Sequence, residues 1–248
     1  MSSIIDIRSQ LPLNPRWGGA TIGYRPETRY ITWHYNGPAL PEYMAYGEGL
    51  MRWARSALDW QTRSGWSGTA NGADGFCYNY IVGTDAVYLA RDTDAQLWHA
   101  GNYEANTYSA AIVFPIGGGQ AVPDAMLLNA AYITDVLLAW YNLPRNAVFG
   151  HRDWSANTLC PGDVIGTHLA AYKAGEAKPC NGWFRNRYPC TVRTEPSRRG
   201  RVVRSYPVGA HLEMAACVDG EVIDNNGQWY WLRSGEGFIH ASAGFVRL

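Results

Sequence analysis

The sequence lacks any uncharged apolar run approaching the ~20 residues needed to cross a bilayer, so no membrane partner is expected. It lacks a charge excess as well. Its 21 Lys+Arg balance 21 Asp+Glu, so there is no global basic field of the kind that captures nucleic-acid phosphates, and a nucleic-acid partner is not expected. The opening residues, MSSIIDIRSQLPLNPRW, contain no basic segment followed by a sustained apolar stretch and a small-residue cleavage site. The expectation is therefore no secretory signal peptide and a protein made in the cytoplasm. Cysteine is sparse: Cys77, Cys160, Cys180, Cys190 and Cys217 are odd in number and irregular in spacing, with neither a disulfide framework nor paired CxxC knuckles. No internal repeat or low-complexity tract is present. With 17% charged and 47% hydrophobic residues over 248 positions, the composition is that of a folded chain with a sizeable core. Aromatic residues are plentiful, with 11 Trp and 16 Tyr; flat aromatic faces suit carbohydrate or peptide recognition, although most serve as core.

Charge divides the chain. Twelve basic and fifteen acidic residues precede Cys180, and nine and six follow, so the net charge changes from −3 to +3 there. The stretch AYKAGEAKP just before this point reads as a fraying helix end and a linker. The expected domains are therefore 1–174 and 180–248, joined by a linker at 175–179. In the first, YITWHY (30–35), FCYNYIVG, AVYLARD, SAAIVFPI and AVFGHRD read as strands. Leu50, Trp53, Ala54, Ala57 and Leu58 recur at helical spacing, as do Met126, Ile133, Val136, Leu137 and Trp140 in a helix opened by Pro123 and Asp124. A last helix is expected over about 163–174. Helices and strands alternate without strict repetition, which predicts an α/β domain with a mixed central sheet flanked by helices. Beyond residue 180 the pattern changes to short strands (TVRTE, VVRSYPVG, HLEMAACV, WYWLRS, GFIHASAGFV) between Gly, Pro, Asn and Asp, predicting a small all-β barrel.

Three metal-ligand types sit at expected element ends: His34 and His151, each closing a strand, and Cys160 in a loop nine residues after His151. Two imidazoles and a thiolate leave a fourth tetrahedral position open, the composition of a catalytic rather than a structural zinc site. The residues alone leave a second reading open, in which both histidines are satisfied polar groups and Cys160 is a small buried hydrophobe.

The succession RYITWHYN, SGW, GFCYNYIVGTDAVYLAR, LWHAGNY, SAAIVF and VFGHRDWSANTLCPGD resembles the type-2 N-acetylmuramoyl-L-alanine amidases, which include phage endolysins and animal peptidoglycan-recognition proteins. The resemblance runs from about Trp17 to Tyr172, and GHRDWSxxxxCPG is its most specific piece. It implies Zn2+ held by His34, His151 and Cys160. It also implies that Tyr78 lines the site and assists attack on the amide, and that Thr158 stands where relatives carry lysine or threonine. His99 matches a histidine near the substrate groove, or else is a surface loop residue; Trp66 and Trp229 are further candidates for substrate contact. Some relatives place a glutamate where this chain has Val113, so no carboxylate base is evident. Asp153 is expected to hold its loop rather than orient a ligand, and His168, His211 and His240 carry no motif.

The segments VRTEPS, VVRSYPVGAHLEM and GQWYWLRSGEGFIHASAGFV resemble the bacterial SH3-like (SH3b) modules appended to cell-wall hydrolases, implying a tether to peptidoglycan. Strand alternation already sets Tyr230 opposite Trp229 and Trp231, so part of that aromatic cluster is core. Together the two resemblances imply a monomeric zinc amidase that cuts between the lactyl group of N-acetylmuramic acid and L-alanine. With no signal peptide, the expected role is that of a phage endolysin held in the host cytoplasm until lysis. The competing readings are a peptidoglycan receptor without catalysis and a wall peptidase on the same fold. Whether Cys180 and Cys190 pair after release stays open.

Overall fold

The apolar runs of the first part of the chain become strands buried on both faces, and the helical repeats supply the cover. In chain order the elements are β1 (Ile4–Asp6), β2 (Tyr30–Gly37), α1 (Gly47–Thr62), β3 (Tyr80–Val82), β4 (Val87–Leu89), α2 (Tyr103–Tyr108), β5 (Ser109–Gly117), α3 (Asp124–Trp140), β6 (Val148–Gly150), α4 (His151–Trp154) and α5 (Gly162–Ala174). The computed structural model describes residues 4–174, 182–223, 226–243 and 245–247. It separates into two units, Ser3–Ala177 and Lys178–Leu248. The expected linker at 175–179 and Cys180 lie outside the described residues.

The first unit is built on a six-stranded sheet in the order β1-β4-β3-β5-β2-β6. Strands β3, β5, β2 and β6 run parallel, and β4 is antiparallel to β3, so the sheet is mixed. All nine residues of β5 are buried, which explains why SAAIVFPI reads as a continuous apolar run rather than an alternating one. Residues of alternate parity serve opposite faces. Ile31, Trp33, Ala110, Ile112 and Phe114 pack with Met126, Ile133 and Leu137 of α3 and with Ile165, Leu169 and Tyr172 of α5. Val113 and Ile81 face the other way, onto Leu50, Trp53, Ala54 and Leu58 of α1. Trp33 anchors the first layer, its ring between Phe114 and Tyr172 at 5.2 and 5.6 Å and its Nε1 donating to Thr134 Oγ1 at 3.0 Å.

The second unit is a seven-stranded sheet in the order β13-β7-β10-β11-β12-β8-β9. Its strands are β7 (Gly182–Asn186), β8 (Cys190–Arg193), β9 (Val202–Tyr206), β10 (His211–Ile223), β11 (Asn226–Leu232), β12 (Phe238–His240) and β13 (Phe245–Arg247). Every described pairing is antiparallel. Phe184, Val192, Leu212, Met214, Leu232 and Ile239 form its core. The run 237–246, expected as one strand, is two, because a 3-10 turn at Ala241–Ala243 intervenes. Cys190 is a buried free thiol. Among the described residues no helix is long and apolar enough to cross a membrane.

Candidate metal centre

Three segments of the first unit converge at the carboxyl ends of its parallel strands, where open α/β sheets generally carry their sites. His34 is the fifth of the eight residues of β2. Ile31, Trp33 and Tyr35 turn toward α3 and α5, so alternation turns His34 toward the α1 side. There it is fully buried, in register with Val113. Strand β6 ends at Gly150 opposite Trp33, so the next residue, His151, emerges beside His34, with ring centroids 4.8 Å apart. Cys160 comes from the loop before α5. Its carbonyl accepts from the Arg152 N–H at 2.7 Å, and its own N–H donates to Thr158 Oγ1 at 3.1 Å. Its Sγ accepts from the Tyr35 N–H at 3.4 Å and lies 3.6 Å from His34 Nδ1. One ligand atom from each of the three residues lies within 4.8 Å of the others, and among the described residues no other such group of His, Cys, Asp or Glu forms.

The three residues are those picked out from the sequence, but their settings differ from expectation. Strand β2 continues past His34 to Gly37, and His151 opens the helical turn α4 instead of closing a strand. Asp153 accepts from the Gly150 N–H at 2.8 Å and so caps that turn.

The donor set fits zinc. An ion with Zn–N near 2.05 Å and Zn–S near 2.3 Å in tetrahedral geometry holds those two donors about 3.6 Å apart, the separation of His34 Nδ1 and Cys160 Sγ. The remaining ring nitrogens are occupied. His151 Nε2 lies 3.0 Å from the Ala100 carbonyl, and His34 Nε2 lies 2.9 Å from His99 Nδ1. Burial pushes His34 well below the usual imidazole range, His99 down to about 3 and His151 downward. All three rings are therefore neutral lone-pair donors at pH 7. Burial pushes the Cys160 thiol up to about 12, against the weaker opposing pulls of the Tyr35 N–H and the Arg152 charge.

Tyr78 precedes β3 rather than lying on it, and its ring stands 5.1 Å from that of His34. Burial, and next the proximity of Cys160, push its hydroxyl well above its ordinary value, so it stays a hydrogen-bond donor. Thr158 accepts from Cys160 N–H, which leaves its own hydroxyl hydrogen free to donate elsewhere. Trp66 lines a cavity of about 350 Å³ together with Trp98, Asn102, Tyr103 and Thr107. Thr107 is 4% exposed and its Oγ1 has no hydrogen-bond partner. Neither Trp98 nor Thr107 was singled out from the sequence; the sole signal was the LWHAGN segment, which holds Trp98 and Asn102.

Two expected substrate contacts are corrected. His99 is only 5% exposed and lies behind His34, bonded to it, so it is not a groove or surface residue. Trp229 is 1% exposed, its Nε1 donating to the Glu221 carbonyl at 3.0 Å, so it is core of the second unit and presents no face to a ligand.

The structure is similar to Drosophila PGRP-LB, with a TM-score of 0.54 and 21% identity over 69% of this chain and 94% of that one. It is also similar to a mutant endolysin from Bacillus subtilis (TM-score 0.51, 21% identity, 71% of this chain and 100% of that one). A third similar structure is a Drosophila PGRP-LB mutant in complex with tracheal cytotoxin (TM-score 0.52, 20% identity, 68% and 93%). At these identities the likeness is one of fold. No curated protein matches the chain in sequence. The family model for N-acetylmuramoyl-L-alanine amidase matches residues 24–163, more than half of the chain and a span that includes His34, His151 and Cys160. On that match the chain belongs to the N-acetylmuramoyl-L-alanine amidase family.

Proposed function

We propose that the protein is a zinc-dependent peptidoglycan hydrolase that cleaves the amide between the lactyl group of N-acetylmuramic acid and L-alanine, and that it serves as a phage endolysin. The observation that carries this reading is the convergence of His34, His151 and Cys160 at zinc-ligand spacing inside a member of the amidase family. Zinc held by these three donors supplies a Lewis acid for the substrate carbonyl and acidifies a water. The protein's own groups do the rest. Tyr78, kept protonated beside His34, donates to the oxygen on which charge develops, and Thr158 has a hydroxyl hydrogen available for the same purpose. Val113, paired with His34 across the sheet, leaves no carboxylate at that position. The cavity of Trp66, Trp98 and Thr107 offers aromatic faces and one unpartnered buried hydroxyl, which suits a ligand mixing apolar and hydrogen-bonding surface, as sugar and peptide do. The second unit serves in this reading as an SH3b-like tether to the wall.

The test is digestion of purified cell wall followed by mass spectrometry. The expected products are glycan strands with intact lactyl groups and stem peptides with a new N-terminal alanine. Chelation should abolish the release and zinc restore it. Retained wall binding with no cleavage would replace this reading with that of a receptor. Scission within the stem peptide would make the protein a peptidase.

A further inference from the structure

Each ligand histidine uses its outward ring nitrogen on the same short stretch of backbone. His151 Nε2 is 3.0 Å from the Ala100 carbonyl. A carbonyl only accepts, so the hydrogen of His151 is on Nε2 and its Nδ1 is bare. His34 reaches the stretch through an intermediary. His99 Nε2 is 3.1 Å from the Ala105 carbonyl, which fixes the single hydrogen of that neutral ring on Nε2. His99 Nδ1 is then an acceptor, and His34 Nε2, 2.9 Å away, must be its donor. The consequence is that His34 Nδ1, the nitrogen 3.6 Å from Cys160 Sγ, carries a lone pair.

We infer that His99 is a positioning residue: it transmits the hydrogen-bonding sense of the Ala105 carbonyl to His34 and fixes His34 as the Nε2–H tautomer, with Nδ1 presented to the metal. The intermediary is itself held. Asn106 Oδ1 accepts from the backbone N–H groups of His99 and Ala100 at 3.0 and 2.9 Å, and Asn102 Oδ1 caps α2 by accepting from the Ala105 N–H at 3.1 Å. His99 is also nearly sealed from water, so no solvent competes for its two bonds. Groups that orient a ligand imidazole in this way commonly change metal affinity 10- to 100-fold when removed. The consequence for metal binding rests on the zinc reading above, whereas the tautomer exists without metal or substrate.

The experiment follows from that separation. In metal-free protein at neutral pH, two-bond proton–nitrogen correlations of the His34 ring should show hydrogen on Nε2 alone. A His34 ring with its hydrogen on Nδ1, or an even mixture, overturns the inference whatever the protein's activity. His99→Gln keeps an acceptor for His34 and a donor for Ala105, and should preserve both tautomer and zinc affinity. His99→Leu removes the acceptor; zinc affinity measured by chelator competition should fall about 10- to 100-fold, with the His34 tautomer no longer single. A folded His99→Leu protein that binds zinc as tightly as the parent also overturns it. Should His99→Leu not fold, the parent's tautomer and the affinity of His99→Gln still decide. Loss of amidase activity with the expected tautomer intact would count against the proposed function and leave this assignment standing.

Discussion

Cys160 is an unionised thiol in the metal-free site because burial outweighs the single N–H and the arginine that favour its anion. A metal ion must displace that proton to gain a thiolate ligand. Zinc uptake near pH 7 should therefore release about one proton per chain and weaken as pH falls, as read by calorimetry in buffers of different ionisation heat. Cys160→Ser should lose most of its bound metal, since a hydroxyl is a far poorer zinc ligand than a thiolate; metal content equal to the parent's would remove Cys160 from the site. Tyr78 differs from the ligands in what it should disturb. Tyr78→Phe deletes one donor and no ligand, so metal content should hold while turnover falls by ~10²-fold. An unchanged rate would return Tyr78 to a packing role. The grouping of His34, His151 and Cys160, with Tyr78 beside His34, could be read from the sequence because all four sit inside family motifs. The service of His99 to His34 could not, because it is a contact across 65 positions that no local pattern encodes.

At the scale of elements, α1 and α3 were legible because each shows a buried face at helical spacing over sixteen and seventeen residues, although Trp140, grouped with the α3 face in the sequence, is 72% exposed at the end of that helix. The three-residue β1, the six-residue α2 and the strand β7 were not; segments so short or so flanked carry too few periods to stand out from a loop. The missed α2 matters most, since its N-cap and Asn106 hold the backbone behind both imidazoles. The start of α5 is equally tied to the site. Gly162, two residues after Cys160, adopts φ +82°, and a Cβ there would stand 2.7 Å from the Gly118 backbone. A left-handed conformation and a backbone collision both oppose any side chain. Gly162→Ala should cost about 1–3 kcal/mol of stability, measured by denaturant unfolding, and should loosen zinc binding through the displaced Cys160 loop. Unchanged stability would show that this turn relaxes without strain.

The whole molecule is expected to depend on pH through its buried imidazoles. In metal-free protein His34 and His99 titrate below 6.5 when folded and near 6.5 when unfolded, so the unfolded chain binds more protons in between. Stability should be intact above about pH 6.5 and fall as pH drops toward 3, by at most about 1.4 kcal/mol per pH unit for each ring. Saturating zinc should steepen that slope, since the zinc-bound fold excludes the protons of both His34 and Cys160 while the unfolded chain takes them up. Because His34, Tyr78, His151, Thr158 and Cys160 all lie in the Ser3–Ala177 unit, a chain ended after Ala177 should fold, bind zinc and hydrolyse soluble muropeptides. If the second unit is the proposed wall tether, the rate on intact walls should fall, since a tether raises local concentration. Loss of soluble activity in a folded truncation would show that the second unit completes the site. One further consequence follows from where the ligands stand in the chain. His34 and Cys160 are 126 positions apart, so a bound ion is a reversible crosslink closing more than half of the polypeptide into a loop. By loop-closure entropy a permanent bond at those points would be worth about 5 kcal/mol. If the site holds zinc as proposed, ion release would gate global opening, and resistance to proteases should follow the free zinc concentration rather than temperature alone.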